Sequence, residues 1–170
     1  RGYMAAQFAL GNCYSLGRGV VVNVDTAFQW YRKAGEQGYE LAENAVGTCY
    51  RDGKGVEKND ETAVDWYLKA AIKGLCAAQL NVADCFYDGR GVEQDYSAAV
   101  AWYRRAGEQG APRAQLVLGH CNYRGVGVDR NYPEAVEWFR QAAGGPSKNS
   151  EAMVMLGHCH LRGHGVPRRD

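Results

Sequence analysis

Apolar and small residues recur along the chain at the three- and four-residue spacing that is typical of helices with one buried face. The first segment with this pattern runs from about Ala6 to Leu16, and a second follows after a glycine-containing break. The buried faces carry Ala6, Leu10, Cys13 and Tyr14 in the first segment, and Ala27, Trp30, Tyr31 and Ala34 in the second. The pattern therefore predicts a pair of packed helices.

This pair returns along the chain with a period of 36 residues. Tryptophan marks the second helix of each unit at Trp30, Trp66, Trp102 and Trp138. A fixed period of this length predicts an all-α fold, a right-handed α/α superhelix (solenoid) of about four and a half helix-turn-helix repeats. We expect one array over residues 1–170, with units at about 5–38, 41–74, 77–110, 113–144 and a partial unit at 151–170.

Each unit has its own helix-ending and helix-starting signals. A glycine pair follows every first helix, beginning with Gly17 and Gly19 and ending with Gly163 and Gly165, and a valine, the last being Val166, follows each pair. Glycine accepts the left-handed backbone that ends a helix. Capping residues that should start the second helices follow at Asn23, Asn59, Asp95 and Asn131.

The tryptophans and cysteines suggest how the core is built. A buried tryptophan contributes about 150–250 Å², so we expect the four tryptophans to form the spine between the two helix layers. Five of the six cysteines occupy one repeat position. Equivalent helices in stacked repeats lie about 9–10 Å apart, beyond the roughly 7 Å that a disulfide bridges. Free thiols are therefore expected, which favours an intracellular, reducing compartment, most simply the cytoplasm.

The sixth cysteine, Cys76, lies near a predicted helix start. That position can lower the pKa of a thiol, but a small buried side chain is the alternative interpretation.

Composition excludes several classes of partner. The net charge is +1, and the basic pairs Arg104–Arg105 and Arg168–Arg169 are too small for a nucleic-acid surface. No apolar run is long enough for membrane insertion, and no targeting signal is visible. The chain begins with Arg1 and ends inside a fifth repeat, so we expect it to be part of a longer polypeptide or a larger complex.

The pattern A-x-x-x-L-G-x-C-Y-x-x-G-x-G-V, a capping residue and then A-x-x-W-Y-x-x-A resembles the Sel1-like repeat, a relative of the tetratricopeptide repeat, over residues 5–166. The resemblance implies an α/α solenoid whose first helices line a concave face, adaptor work between proteins, and no catalytic residue. The pattern departs from the repeat at Phe86, Asn122 and His160, where Tyr14 and Tyr50 stand in earlier units, and at Ala83, which replaces a glycine. Secreted cysteine-rich relatives carry a second cysteine in each repeat. Every unit here except that of Cys76 lacks a candidate for it, so those disulfides are not expected.

A recognition surface is predicted where the repeat varies. Four positions on the exposed side of the first helix change from unit to unit while the core positions do not, which is typical of repeat proteins that bind through this face. The candidate partner-binding residues are Asn12, Thr48, Arg51, Asp52, Leu80, Asp84, Tyr87, Asp88, Leu116, His120, Tyr123, Arg124, His158 and Arg162.

The partner expected from these residues is an extended or helical segment of another protein. Acidic positions at Asp52, Asp84 and Asp88 predict basic groups over the middle of the array, and Arg124 and Arg162 predict acidic groups toward its C-terminal end. Leucines and tyrosines between them are candidate anchors. Two alternatives remain: the face is merely solvated, or the array is a structural subunit packed laterally in a larger assembly.

Nothing in the sequence predicts catalysis, a metal or a cofactor. The glycine pairs follow helices rather than strands, and no nucleophile or phosphate-binding motif occurs. His158, Cys159, His160 and His164 suggest a zinc site as the alternative, but Gly163 should end the helix between His160 and His164. Structural zinc requires four ligands, so a non-enzymatic scaffold is the favoured interpretation.

Overall fold

The computed structural model describes residues 2–145 and 149–165, and within them the chain forms nine α-helices and no strand. The helices are α1 Gly2–Leu16, α2 Val24–Glu36, α3 Glu40–Asp52, α4 Asp60–Ile72, α5 Cys76–Asp88, α6 Tyr96–Glu108, α7 Pro112–Arg124, α8 Tyr132–Gly144 and α9 Ser150–Arg162. Each helix packs against the helices before and after it in the chain. The predicted all-α repeat fold is confirmed; Val166 and the predicted end of the fifth unit lie outside the described residues.

The second helices begin after the predicted capping residues and the first helices end at the predicted glycines, but α1 begins at Gly2 rather than at about Ala6. The side-chain oxygens of Asn23, Asn59, Asp95 and Asn131 each accept a hydrogen bond from a backbone N–H in the first turn of α2, α4, α6 and α8. These bonds satisfy donors that a helix leaves free at its N-terminus. Gly89 ends α5 in a left-handed conformation with φ of 67°, and equivalent glycines end α3, α7 and α9 in the same way.

The spine of the core is made by the residue after each tryptophan. Tyr31, Tyr67, Tyr103 and Phe139 are buried between the two helices of their units. Three of these rings lie against a glycine of the first helix, Gly11, Gly47 or Gly119, where an added Cβ would collide with the ring. The glycine in the first helix is therefore explained by the ring that packs on it.

The expected tryptophan spine is wrong. Only Trp138 is buried, and Trp30, Trp66 and Trp102 are half-buried. Trp66 and Trp138 instead lie against Gly35 and Gly107 of the preceding unit. One helix residue corresponds to a rotation of about 100°, so the tryptophan faces the neighbouring unit while the following aromatic faces its own first helix.

The glycine-containing turns contact the preceding unit. The Cα of Gly55 lies so close to the Val24 carbonyl of the preceding unit that a Cβ would overlap it, and Gly91 and Gly127 meet the backbone of Asp60 and Tyr96 in the same way. The φ angles of these glycines are between 68° and 70°, in the left-handed region that favours glycine. From the second unit onward, the second glycine of each pair is thus required both by its backbone conformation and by the stacking of units, whereas Gly19 of the first unit meets open space.

A column of buried polar side chains runs through the array at Gln7, Glu43, Gln79 and Gln115. In the first unit Gln37 donates to Gln7 at 2.7 Å, and in the third unit Gln109 donates to Gln79 at 2.8 Å. The second unit carries an ion pair in the same place: Lys73 Nζ lies 2.5 Å from Glu43 Oε1. The chain thus uses one buried bond three times, twice as an amide pair and once as a charged pair.

All six cysteines are free thiols, as the repeat spacing predicts. Burial raises the pKa of the Cys49 and Cys85 thiols from 9.0 to about 11. Burial also raises the pKa of Cys76, whose Sγ lies 3.9 Å from the Ala106 carbonyl oxygen. This direction favours the interpretation of Cys76 as a small, partly buried side chain. Within the described residues, no helix has the length and the apolar character needed to cross a membrane.

Candidate partner-binding surface

A cavity of about 400 Å³ lies between the third and fourth units. Five of the predicted binding residues line it, namely Asp84, Tyr87 and Asp88 of α5 and His120 and Arg124 of α7. We call it the central cavity. Residues that are far apart in sequence but equivalent in the repeat are thus brought together by stacking of the first helices.

Part of the lining of the central cavity is apolar. Tyr87, Val117, Cys121 and Val126 line it and pack against the core of the third and fourth units. The Tyr87 ring is held edge-on by Tyr96, with ring centroids 5.1 Å apart. A fixed aromatic ring beside aliphatic side chains is a surface on which another apolar side chain can pack.

The rim of the central cavity is charged and mostly paired. Arg113 donates to Asp84 at 2.8 Å, and Arg90 donates to Asp88 at 2.9 Å. His120 Nε2 lies 3.2 Å from Glu151 of α9. Arg124 is exposed and makes no ion pair with any residue of 2–145 or 149–165.

One of the four variable positions, the one held by Asn12, Thr48, Asp84 and His120, also contacts the buried aromatic residue of its own unit. The buried Tyr31 hydroxyl donates to Asn12 at 2.9 Å, and the Tyr103 hydroxyl donates to Asp84 at 2.6 Å. Tyr67 and Thr48 repeat the contact at 3.3 Å. The fourth unit has Phe139, which lacks a hydroxyl, and here the His120 ring packs edge-on against Phe139 with centroids 5.2 Å apart. Burial, together with the Asp84 hydrogen bond, raises the pKa of the Tyr103 hydroxyl.

The second unit contributes a separate charged group. Arg51 Nε donates to Asp52 at 2.8 Å, and Lys54 Nζ lies 3.2 Å from the other oxygen of the same carboxylate. The hydrogen bond from Arg51 lowers the pKa of Asp52.

Leu80 and Leu116, expected as exposed anchors, are half-buried and pack against the cores of their units.

The C-terminal residues of the predicted set lie around Tyr123. The Tyr123 hydroxyl is 3.4 Å from His158 Nδ1 and 3.0 Å from His164 Nδ1. The His164 ring stacks on Tyr132 at 4.2 Å. Arg162 is exposed at the end of α9. These residues do not line the central cavity, so the set predicted from sequence divides into a central group and flanking groups.

The histidine-rich segment does not assemble the four zinc ligands that the alternative requires. Cys159 is buried in the core, and burial raises the pKa of its thiol. His160 Nδ1 faces the Leu156 carbonyl oxygen at 2.8 Å. Over 2–145 and 149–165, no cluster of three or more His, Cys, Asp or Glu side chains has a metal-binding arrangement.

The pattern of variable first-helix positions misses part of the cavity lining. Arg90 lies in the turn, Arg113 and Glu151 lie in the first turns of α7 and α9, and Tyr103 comes from a second helix. Arg113 and Glu151 share one repeat position, and Arg90 and Tyr103 hold two others, so no single stripe includes all four. The charges of Arg90, Arg113 and Glu151 are nevertheless visible in the sequence, and these side chains contact Asp88, Asp84 and His120.

Comparison with protein-family models finds the Sel1 repeat at residues 5–39, 41–75, 76–110, 112–145 and 150–170. A comparison with curated proteins finds no match. Sel1 repeats generally mediate interactions between proteins, and the repeat scaffold is generally non-catalytic.

Solved structures give the same picture. The chain is 33% identical to a protective antigen with an SLR fold from uropathogenic Escherichia coli, with a TM-score of 0.94 over 99% of this chain but only 36% of that protein. It is 36% identical to a Sel1 repeat protein from Oxalobacter formigenes, with a TM-score of 0.91 over 98% of this chain and 68% of the other. Helicobacter pylori cysteine rich protein B, at 22% identity and a TM-score of 0.61 over 79% of this chain and 98% of its own, shares the fold. The chain thus spans about a third of the Escherichia coli antigen, and it belongs to the Sel1 repeat family.

Proposed function

We propose that the chain is a non-catalytic scaffold that binds a segment of a partner protein along the face displayed by the first helices of its repeats. The observation that carries the proposal is the central cavity, which five variable residues of two different units line together with apolar side chains. Variable residues that converge on one concave site are what a recognition surface requires.

The size of the cavity indicates how the partner would bind. A volume of about 400 Å³ accommodates one or two anchoring side chains, whereas a stable protein interface needs a larger contact area. The flanking groups at Arg51 and Asp52 on one side and at Tyr123 and His158 on the other extend the surface along the array. A linear segment that reaches across several units fits this layout, and the free thiols support the proposal of a reducing compartment.

Affinity capture with two charge-reversed variants tests the proposal. D88K/R124E alters the rim of the central cavity, and E137K/R140E alters an exposed pair on α8; both leave the net charge unchanged. We expect D88K/R124E to lose partners that the wild type and E137K/R140E retain. If both variants retain every partner, or only E137K/R140E loses them, the cavity is not the binding site. Thermal melts by circular dichroism confirm that each variant is folded.

A second test removes the aromatic anchors. We expect Y87A/Y123A to weaken binding of a captured partner by well over tenfold, because each ring at the centre of an interface contributes about 1–2 kcal/mol. Both rings also pack on tyrosines of the second helices. Affinities are therefore compared at temperatures well below the melting transition of the variant, and unchanged affinity would contradict the proposed anchors.

The alternative function is a structural subunit, packed laterally in an assembly. It is favoured by the exposed apolar side chains Met153, Val154 and Leu161 on α9 and Val21 and Val22 in the first turn, because large exposed apolar patches usually mark interfaces. Sedimentation velocity distinguishes the two functions. Self-association of the wild type that V154E/L161E abolishes would favour the structural subunit, whereas a monomer that loses partners only in D88K/R124E would favour the scaffold.

A further inference from the structure

The acidic residues of the first-helix face are already neutralised within the chain. Asp52 is bonded to Arg51 and Lys54. The two acidic residues of α5 are bonded as well, Asp84 to Arg113 and Asp88 to Arg90. A basic partner would have to displace these cations, and exchanging one exposed ion pair for another gains little. The sequence-based expectation of basic groups over the middle of the array therefore loses its main support.

Two basic residues of the same face, unlike Arg51, are not neutralised in this way. Arg124 and Arg162 are exposed, and no carboxylate of the described segments lies within ion-pair distance of either guanidinium. Arg124 also lines the central cavity, whereas Arg162 does not. A guanidinium presents a planar set of donors that matches a carboxylate with two parallel hydrogen bonds. Arg124 is thus the cation at which a bound carboxylate forms a new pair without breaking one.

Apolar surface lies beside this arginine. Tyr87, Val117, Cys121 and Val126 line the cavity together with Arg124. An apolar side chain of the partner can therefore occupy the cavity while a neighbouring carboxylate reaches the guanidinium. Glu151 also lines the cavity but contacts His120 rather than Arg124, so Arg124 remains the position at which a partner's carboxylate is favoured.

On the basis of the proposed function, we infer that the partner presents an acidic linear segment, with an aromatic or aliphatic side chain in the central cavity and an adjacent carboxylate on Arg124. This inference specifies the partner by its chemistry: an apolar residue next to aspartate or glutamate, in an extended or helical segment.

A random dodecapeptide library displayed on phage is the probe. It is selected on the wild-type chain and counter-selected on D88K/R124E, so only peptides that need the cavity rim remain. Synthetic peptides from the selection are then measured by fluorescence anisotropy against the wild type, R124E and R18E. Arg18 is exposed in the turn of the first unit, outside the cavity, and R18E serves as the matched charge reversal.

We expect the selected sequences to combine aspartate or glutamate with an aromatic or aliphatic residue. Their affinity should fall by about tenfold or more in R124E, as expected for loss of one charge-assisted bond and its replacement by repulsion, and should stay within about twofold of wild type in R18E. Two results would overturn the inference and leave the cavity as a binding site. One is a selection rich in lysine or arginine, and the other is a set of acidic peptides that R124E binds as tightly as the wild type does. No enrichment of any cavity-dependent peptide would overturn the proposed function together with it.

Discussion

Replacing Lys73 by methionine would leave the Glu43 carboxylate in the interior without its cation. The Glu43 side chain is 4% exposed, and Lys73 Nζ is the partner of its Oε1 atom. Its Oε2 atom has no hydrogen-bond partner among the described residues. Methionine keeps the length and apolar stem of lysine, so the substitution tests the charge and the hydrogen bond rather than the packing.

The expected cost follows from this geometry. Removing one partner of a buried ion pair costs about 3–5 kcal/mol. Lys73 is 40% exposed, so water already screens part of the interaction, and we expect K73M to lower the free energy of unfolding by roughly 2–3 kcal/mol. The double variant E43Q/K73Q recreates the amide pair of the first and third units. It should lie within about 1 kcal/mol of the wild type, because a buried ion pair can be replaced at little net cost.

Urea denaturation followed by far-ultraviolet circular dichroism measures these differences. Q109M is the matched control, since Gln109 holds the position of Lys73 in the third unit and pairs with Gln79. It leaves a neutral amide rather than a charge, so it should cost about 1 kcal/mol. The argument fails if K73M is no less stable than Q109M, or if E43Q/K73Q is as unstable as K73M.

Three further predictions concern the core. Gly119→Ala should lower the free energy of unfolding by about 1–3 kcal/mol, because its Cβ would overlap the aromatic ring of α8. The control Gly157→Ala places its Cβ in open space and should be neutral or stabilising by up to about 1 kcal/mol. Equal melting temperatures for the two variants would contradict this packing. Tyr103→Phe should cost about 1.5–3 kcal/mol, since its hydroxyl donates to a carboxylate, whereas Tyr67→Phe, with a 3.3 Å bond to a neutral hydroxyl, should cost less than about 1 kcal/mol in the same denaturation assay. The pKa of Cys49 is raised in the folded chain, so between pH 9.0 and about 11 only the unfolded thiol ionises. The stability that the neutral thiol contributes is therefore complete below pH 9.0 and is lost as the pH rises toward about 11. Cys49→Ala should reduce the alkaline fall in unfolding free energy by up to roughly 2–3 kcal/mol.

The helix boundaries were predictable because their signals are local. Asn23 and its equivalents cap the second helices as expected, since a capping residue acts on a backbone N–H only three residues away. The left-handed glycines likewise reflect a requirement of a single residue. Because the same signals recur with the repeat, a boundary predicted in one unit predicts the equivalent boundary in the others.

The choice between two adjacent aromatic residues was not predictable in this way. Trp66 and Tyr67 are both large and apolar, and either fits a helical stripe when the axis of the neighbouring helix is unknown. Position within the stack decides between them: Tyr67 is fully buried in its own unit, and Trp66 is half-buried against the preceding one. A better signal was available in the glycine of the first helix, which indicates that a ring packs there.

Pairing inside a unit was also missed, although the sequence contains it. The bonded residues Gln7 and Gln37, like Glu43 and Lys73, are 30 positions apart. The joint change from two amides to an acid and a base indicates contact. The same reasoning applies at the candidate site, where Asp84 pairs with Arg113 of the next unit. The charges along one helix face do not include these partners, so they do not show which charged side chains remain available to a bound protein.

The docking of each second glycine on the preceding unit has a consequence for loop engineering. The connection between α8 and α9 is two residues longer than its counterparts, yet Gly165 still meets the backbone of Tyr132, as Gly127 meets Tyr96. The contact between the second glycine and the preceding unit is thus kept although the connection before α9 is longer. A tag or cleavage sequence inserted in the connection between α8 and α9 should therefore leave the units stacked, whereas one extra residue inside a Gly-x-Gly turn would separate two neighbouring units.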